Sequence, residues 1–153
     1  MMSDTEQDRD GIRISSDSSA MDVDAIHAYL TRSYWAEGIS RALVAKAVDS
    51  SLCFGLFERE RQIGFARVIT DRATFAYLSD VYVLEDYRGR GLGKWLMETV
   101  VAHPELQGLR RFLLATRDAH GLYSRLAFTP LAHPEYFMEI NPPRLYLQSG
   151  VSD

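Results

Sequence analysis

The chain of 153 residues contains one cysteine, Cys53, and therefore cannot form a disulfide within itself. A lone cysteine among apolar neighbours is typical of a buried core residue rather than a nucleophile, and it favours a reducing compartment. No apolar run approaches the roughly 20 residues that cross a membrane. The acidic first residues also lack the apolar stretch of a signal peptide. We therefore expect a cytoplasmic protein that does not associate with membranes.

A surplus of positive charge is absent as well. The chain has 17 Lys and Arg against 21 Asp and Glu, a formal net charge of −4, whereas nonspecific nucleic-acid binding depends on excess Lys and Arg. The four histidines, His27, His103, His120 and His133, are not spaced as ligands of one metal ion. We therefore expect neither a nucleic-acid partner nor a bound metal.

The remaining composition, 46% hydrophobic and 25% charged residues, is that of an ordinary globular protein. It predicts a single domain over residues 11–148, preceded by a disordered acidic tail at residues 1–10. Hydrophobic periodicity then predicts the elements of this domain. The predicted strands are 11–15, 51–58, 62–70, 75–84, 110–115 and final strands at Phe128, 136–140 and 145–147. The predicted helices begin at Asp22, after an N-cap at Ser40, near residue 94 with an end near 103–104, and after a cap at Asp118.

A glycine-rich run between a predicted strand and a predicted helix is the most informative motif. Its glycines stand at 89, 91 and 93, and Arg88, Arg90 and Lys94 surround them. Glycines allow backbone N–H groups to approach a phosphate, and the helix N-terminus adds unsatisfied donors. The alternating spacing matches neither a P-loop nor a Rossmann fingerprint. The run therefore predicts a pyrophosphate site of another kind.

The stretch from Asp80 to Met97, with Arg-x-x-Gly-x-Gly after a Val-Tyr-Val strand, resembles the acetyl-CoA motif of GNAT superfamily N-acetyltransferases. The predicted element order, β-α-α-β-β-β-α-β-α-β-β, is also similar to that of the family. The resemblance implies an α/β (α+β) fold with a mixed, mostly antiparallel sheet flanked by helices. Two parallel strands, here 76–84 and 111–115, would splay apart to hold the cofactor.

The same resemblance implies acetyl-CoA as the co-substrate and no metal. Pantetheine amides would pair with an exposed strand edge, which offers free backbone groups. The implied cofactor-binding residues are Val81, Tyr82, Val83, Arg88, Gly89, Arg90, Gly91, Leu92, Gly93 and Lys94.

A second segment, residues 116–128, resembles the GNAT stretch in which a helix tyrosine protonates the departing CoA thiolate. Tyr123 holds that position, and the alternative interpretation is a core tyrosine. Thr116 and Ala127 depart from the asparagine and glycine that many relatives carry there. The base is open between Asp80, acting through water, and His120, whose side chain shares a helix face with Tyr123.

The predicted acceptor pocket contains Tyr34, Trp35, Phe75 and His120. If the acidic Glu37 and Asp80 lie nearby, they would favour a cationic amine, through charge pairing and cation–π contact. The resemblance implies an N-acetyltransferase acting on a primary amine of a small molecule or peptide. An idle acyl-CoA-binding module is the alternative of another class, and a homodimer stays open.

Overall fold

The computed structural model describes residues 5–147, whose six strands form one sheet in sequence order. Neighbouring strands run antiparallel, except that β5 and β6 run parallel. This confirms the mixed, mostly antiparallel fold that the sequence predicts. The strands are β1 (Glu6–Arg9), β2 (Ile12–Ser15), β3 (Leu52–Glu58), β4 (Arg61–Thr70), β5 (Phe75–Val83) and β6 (Arg111–Leu114).

Two of the helices begin where a side chain accepts a hydrogen bond from one of the first N–H groups. Asp22 accepts from Ala25 N at 3.1 Å and Ser40 accepts from Leu43 N at 3.2 Å, so both predicted helix starts are confirmed. Within the described residues, no helix is long and apolar enough to cross a membrane. The helices are α1 (Val23–Leu30), α2 (Arg41–Asp49), α3 (Leu92–Val101) and α4 (His120–Ser124).

The sheet separates two hydrophobic clusters, because consecutive strand residues point to opposite faces. Phe54 belongs to the cluster that α3 covers, whereas its neighbour Cys53 belongs to the cluster under α1 and α2. Burial raises the pKa of the Cys53 thiol to about 12, which fits the predicted core role rather than a nucleophile.

A bulge in β5 opens the sheet beside β6. Asp80 and Val81 together lie opposite a single residue of β4, Ala66. Asp80 has a positive φ of 56°. The parallel pairing ends at Leu78 and Leu114, although β5 continues to Val83. Among residues 5–147, the second half of β5 therefore has no strand partner on its β6 side, which fits the predicted splay.

The predicted disordered tail is wrong for residues 6–9, which form β1. Asp10 and Gly11 both have positive φ, 52° and 81°, and join β1 to β2 in a two-residue hairpin turn. Gln7 also accepts a hydrogen bond from Trp95 Nε1 at 3.1 Å. Residues 1–4 of that tail and residue 148 of the predicted domain lie outside the described residues.

The predicted strands after residue 127 are wrong for the part of the chain that the structure describes. This stretch contains only 3-10 turns at Pro134–Tyr136 and Leu145–Leu147. Prolines at 130, 134, 142 and 143 lack the N–H that a strand ladder needs.

The helix before this stretch, α4, is also shorter than predicted. Ala119, rather than Asp118, occupies its N-cap position, and Thr116 Oγ1 accepts from Ala119 N at 3.1 Å.

Candidate functional site

The open end between β5 and β6 forms a cavity of about 840 Å³, which we term the strand cleft. One wall is β5 from Tyr77 to Val83, and the opposite wall is the loop after β6 with the start of α4. The loop after α1 closes the top with Ser33, Tyr34 and Trp35. Three separate regions of the chain therefore meet at the point where the sheet splits.

The glycine turn places the N-terminus of α3 near one end of this cleft. Gly89 and Gly91 have φ values of 81° and 74°, and Gly91 is the N-cap without any side-chain cap bond. A Cβ on either glycine would meet nothing within 4 Å. The turn therefore leaves its backbone N–H groups available to an anion.

The basic residues of the turn have different surroundings. Arg88 lines the cleft, and its guanidinium donates to Val83 O at 3.0 Å and to Tyr29 Oη at 2.8 Å. Arg90 lies over the Tyr87 ring at 5.0 Å, and Lys94 is exposed. Of these three basic residues, Arg88 is the one that lines the cleft.

Leu92 and Gly93, the other residues of the turn, can contact a ligand through their backbone but not through a side chain. Leu92 is 8% exposed and packs in the core under α3. A Cβ on Gly93 would lie 3.9 Å from Val83 Cγ2, which is an ordinary van der Waals contact. Leu92 can therefore offer only its backbone N–H group to a ligand.

The β5 backbone is likewise available where its side chains are not. The Tyr82 side chain packs in the cluster under α1 and α2 and stacks on Tyr29 with ring centroids 3.9 Å apart. Burial raises the pKa of this phenol, so it stays neutral. Val81 and Val83 are half-buried and line the cleft. Their strand edge can bind an extended ligand through its N–H and C=O groups.

Tyr123 projects from α4 into the cleft. Its side chain is buried, and its ring contacts Phe128 edge-on at 5.9 Å. Burial first, and then the nearby Tyr34, raises the pKa of the Tyr123 phenol. The hydroxyl therefore keeps its proton at neutral pH, as a proton donor must.

Asp80 lies in the bulge, and both of its oxygens are engaged. Oδ2 accepts from Arg67 Nε at 2.7 Å, and Oδ1 accepts from Trp35 Nε1 at 2.9 Å. The Asp80 and Arg67 side chains are only 10% and 16% exposed. Sequence reasoning missed Arg67, although a charged residue within an otherwise apolar strand is the signal of a buried ion pair.

The structure brings only part of the predicted acceptor pocket together. Tyr34 and Trp35 meet edge-to-face at 5.1 Å above the cleft, and the Arg117 guanidinium lies 3.7 Å from the Tyr34 ring centroid. Phe75 lies instead at the start of β5, opposite Arg111, because the cleft opens at the far end of the strand.

His120 also lies away from the cleft. It is exposed and lines a second cavity of about 830 Å³, which adjoins α4 and the loop that follows it. Glu37 is exposed and lines neither cavity. Of the two acidic residues expected near the acceptor, only Asp80 reaches the cleft.

The carboxylates of the cleft are largely balanced by arginines. Arg32 donates to both oxygens of Glu85 at 2.8 and 3.1 Å, and this pairing lowers the pKa of Glu85 to about 2. Asp80 is balanced by Arg67. In the described part of the chain, no group of three or more His, Cys, Asp or Glu is arranged to hold a metal ion. Asp118 also lines the cleft and forms no ion pair with residues 5–147, so it is the unbalanced carboxylate of the described cleft residues.

Comparisons with known proteins agree on one family. A sequence model described as the acetyltransferase (GNAT) family matches residues 47–128. An inferred acetyltransferase from Gibberella zeae is 33% identical over 135 residues, which cover 73% of this chain and 75% of that protein.

Solved structures agree with this match. The crystal structure of an inferred GNAT-family acetyltransferase from Xanthomonas campestris pv. campestris has 55% sequence identity and a TM-score of 0.87, and the match covers 90% of this chain and 97% of that one. Glucosamine-6-phosphate N-acetyltransferase from Arabidopsis thaliana has a TM-score of 0.61 at 13% identity, covering 86% and 97% of the two chains, and shares the fold alone.

Proposed function

The chain belongs to the GNAT acetyltransferase family, and from this premise we propose that it transfers the acetyl group of acetyl-CoA directly to a primary amine of a small molecule or peptide. The observation that carries the proposal is the strand cleft itself. There the open edge of β5, Arg88 at the start of the glycine turn, and Tyr123 line one cavity.

The residues of the cleft fit the parts of acetyl-CoA. The glycine turn at 89–91 and the first N–H groups of α3 suit the pyrophosphate, and Arg88 adds a positive charge beside them. The unpaired edge of β5 from Val81 to Val83 suits the amides of the pantetheine arm. An N–H of this edge can also polarise the thioester carbonyl.

The proposed chemistry needs a neutral amine and a proton for the leaving thiolate. Tyr123 donates that proton as the C–S bond breaks. Burial raises the pKa of this phenol, and the same dry surroundings would raise the pKa of the departing thiol, which favours the transfer. Asp80 accepts the amine proton through water, using the lone pairs that Arg67 and Trp35 leave free. Deprotonating a lysine-like amine at pH 7 costs roughly 4–5 kcal/mol. Positioning both substrates offsets this, since it can remove about 7–11 kcal/mol of the barrier.

The acceptor amine would enter beneath Tyr34 and Trp35, which close the top of the cleft. Because Arg67 already balances Asp80, the walls favour an aromatic or apolar acceptor body more clearly than an additional positive charge. Screening a panel of amines would identify the acceptor.

Two measurements test the proposal. Calorimetric titration with CoA and with acetyl-CoA should each show saturable binding. A panel of primary amines, each matched with the hydroxyl analogue of the same size, is then screened for release of free CoA thiol. Release with amines but not with hydroxyl analogues supports N-acetyl transfer. Binding without release from any acceptor would favour an idle acyl-CoA-binding module, and absence of binding would remove both.

A further inference from the structure

A third cavity, of about 410 Å³, is lined mainly by α2 and β4, and we term it the α2 groove. Its walls come from one face of α2 and from alternate residues of β4, which point to the same side of the sheet. Most of the lining side chains are apolar, namely Leu30, Ile39, Leu43, Val44, Ala47, Val48, Phe65 and Ile69. Small-molecule sites have volumes of roughly 300–1,000 Å³, so the groove is large enough for an apolar ligand fragment.

The α2 groove adjoins the strand cleft along one face of the sheet. Ile69 lines the groove and lies directly opposite Tyr77, which lines the strand cleft. Directly opposite residues of neighbouring strands point to the same face of a sheet, so these two side chains are neighbours. Ile69 is 43% exposed, so solvent reaches this face of the sheet beside Tyr77. Asp80 lines both cavities, and a ligand in one of them would therefore lie next to the other.

The charged residues of the α2 groove are either paired or exposed to solvent. Arg67 donates to Asp80 Oδ2 at 2.7 Å and to Ser51 Oγ at 3.0 Å, so the charges of Arg67 and Asp80 offset each other. Lys46 is exposed and can extend its ammonium group into water, while its stem covers apolar surface. A ligand fragment in the groove therefore meets apolar side chains and a neutralised ion pair, which favours a hydrocarbon over a charged group.

We propose that the α2 groove binds the apolar tail of the acceptor, and that the acceptor is a primary amine that carries a hydrocarbon tail. This inference rests on the proposed acetyl transfer and narrows its substrate class. The amine would reach Asp80 and Tyr123 in the strand cleft, and the tail would pass over Tyr77 and Ile69 into the groove. Burial of the tail would then hold the acceptor, so its binding strength should depend on the length of the tail.

A series of unbranched alkylamines, from ethylamine to octylamine, tests this dependence. The value of kcat/KM for each amine is measured from the release of CoA thiol at saturating acetyl-CoA. These amines have nearly the same basicity, so the length of the tail is the variable. We expect kcat/KM to rise by up to about fourfold for each added CH₂ until the groove is filled. The gain should appear mainly as a fall in KM, because the tail binds alike in the ground state and the transition state.

Variants of the groove locate the tail. Ala47→Leu fills part of the groove from α2, so the octylamine-to-ethylamine ratio of kcat/KM should fall about tenfold or more. Ala45→Leu is the matched control, a partly buried alanine of the same helix that lines none of these three cavities, and it should leave the ratio at the wild-type value. Ile69→Glu tests the path independently, because it places a carboxylate at an exposed position between groove and cleft, and it should also lower the ratio.

Turnover of every amine without any dependence on chain length would overturn this inference and leave the proposed acetyl transfer intact. An equal fall of the ratio in Ala45→Leu, or an unchanged ratio in both Ala47→Leu and Ile69→Glu, would also overturn it. If no amine is acetylated, the proposed function fails instead, and calorimetric titration with octylamine and with ethylamine then tests the groove directly. Tighter binding of octylamine that Ala47→Leu weakens would support the groove as the site of the tail, whereas equal binding of the two amines would overturn it.

Discussion

Ala127 holds a backbone conformation that glycine adopts more easily. It follows α4 with a φ of 76°, and its side chain is exposed. A left-handed conformation costs an L-residue roughly 1–2 kcal/mol, whereas glycine's extra freedom in the unfolded chain costs about 0.5–1 kcal/mol. We therefore expect Ala127→Gly to raise the free energy of unfolding by about 0.5–1 kcal/mol in urea titrations.

The control for this change is Ala102→Gly. Ala102 is also exposed and also follows a helix, but its φ is −87°. Glycine should therefore lower the free energy of unfolding there by roughly 0.5–1 kcal/mol. Equal effects of the two substitutions would show that φ at position 127 carries no strain.

The Tyr123 hydroxyl is the atom on which the proposed acid role depends. Tyr123→Phe keeps the buried ring and its contact with Phe128, and it removes only the proton donor. We expect kcat to fall roughly 10–10³-fold, with acetyl-CoA affinity little changed. Tyr77→Phe removes another hydroxyl from the same cleft and should leave kcat near the wild-type value. Wild-type turnover in Tyr123→Phe would refute the assignment.

Asp80 has two separable roles, since its carboxylate can accept a proton and also anchors the loop that carries Trp35. If Asp80 is the base, Asp80→Asn should lower kcat/KM and flatten its rise with pH. Trp35→Phe removes the indole donor to Oδ1 but keeps the carboxylate, so the pH dependence should persist. The measurement is kcat/KM against pH for one amine. A pH profile that is unchanged in Asp80→Asn would exclude Asp80 as the base and would favour ordered water in that role.

At the scale of elements, the junction between the glycine turn and α3 makes the cofactor claim testable. Gly91→Ala adds a Cβ at a φ of 74° beside the proposed pyrophosphate, so acetyl-CoA affinity should fall about tenfold or more. Gly108→Ala is the matched control: its φ is 69°, a Cβ would likewise meet nothing within 4 Å, and it lies outside the strand cleft. Calorimetric titration of both variants should show the loss for Gly91→Ala alone. Equal affinities would place the pyrophosphate elsewhere.

Elements with a local signal could be predicted from the sequence. Asp22 and Ser40 cap their helices where the residue types indicate, and β3 to β6 follow the apolar runs. The missed hairpin at Asp10-Gly11 also had a local signal, because Asp-Gly is a favoured two-residue turn, but the acidic composition suggested disorder. Composition was the weaker guide there.

Residues whose role depends on distant neighbours could not be predicted. The Asp80 bulge arises from one extra residue opposite β4, which no pattern within β5 reveals. The final strands were predicted from strand propensity, but propensity does not supply a pairing partner. Phe75 was expected at the acceptor site because of its residue type, although strand direction puts it at the end away from the cleft.

At the scale of the whole molecule, side-chain contacts join the α1–α2 layer to the sheet at the place where β5 and β6 separate. Trp35 reaches Asp80, Arg32 reaches Glu85, and Tyr29 accepts from Arg88 at 2.8 Å. Leu84 packs against both hydrophobic clusters at the same place. Because the cleft lies between these contacts, its shape depends on how firmly the two layers are joined.

Acid should loosen this junction, and the direction follows from the carboxylate pKa values. Arg32 lowers the pKa of Glu85 to about 2 from its ordinary 4.5, and hydrogen bonds to Ser19 lower that of Asp17. A carboxylate with a lowered folded-state pKa contributes its stability above the unfolded value and loses it as pH falls. For Glu85 the loss therefore begins near pH 4.5 and is complete only below about pH 2.

We expect the thermal midpoint, followed by circular dichroism, to fall as pH is lowered from 5 to 2. The Arg32–Glu85 pair is exposed, so its share should shrink at high salt. Arg32→Gln should make the fall shallower, because Glu85 then titrates nearly alike in both states. Arg59→Gln is the control, an exposed arginine that forms no ion pair with any of residues 5–147, and it should leave the slope unchanged. A thermal midpoint that stays constant from pH 5 to 2 would contradict the link between protonation and stability. If the midpoint of Arg32→Gln falls as steeply as that of the wild type, the fall does not come from Glu85.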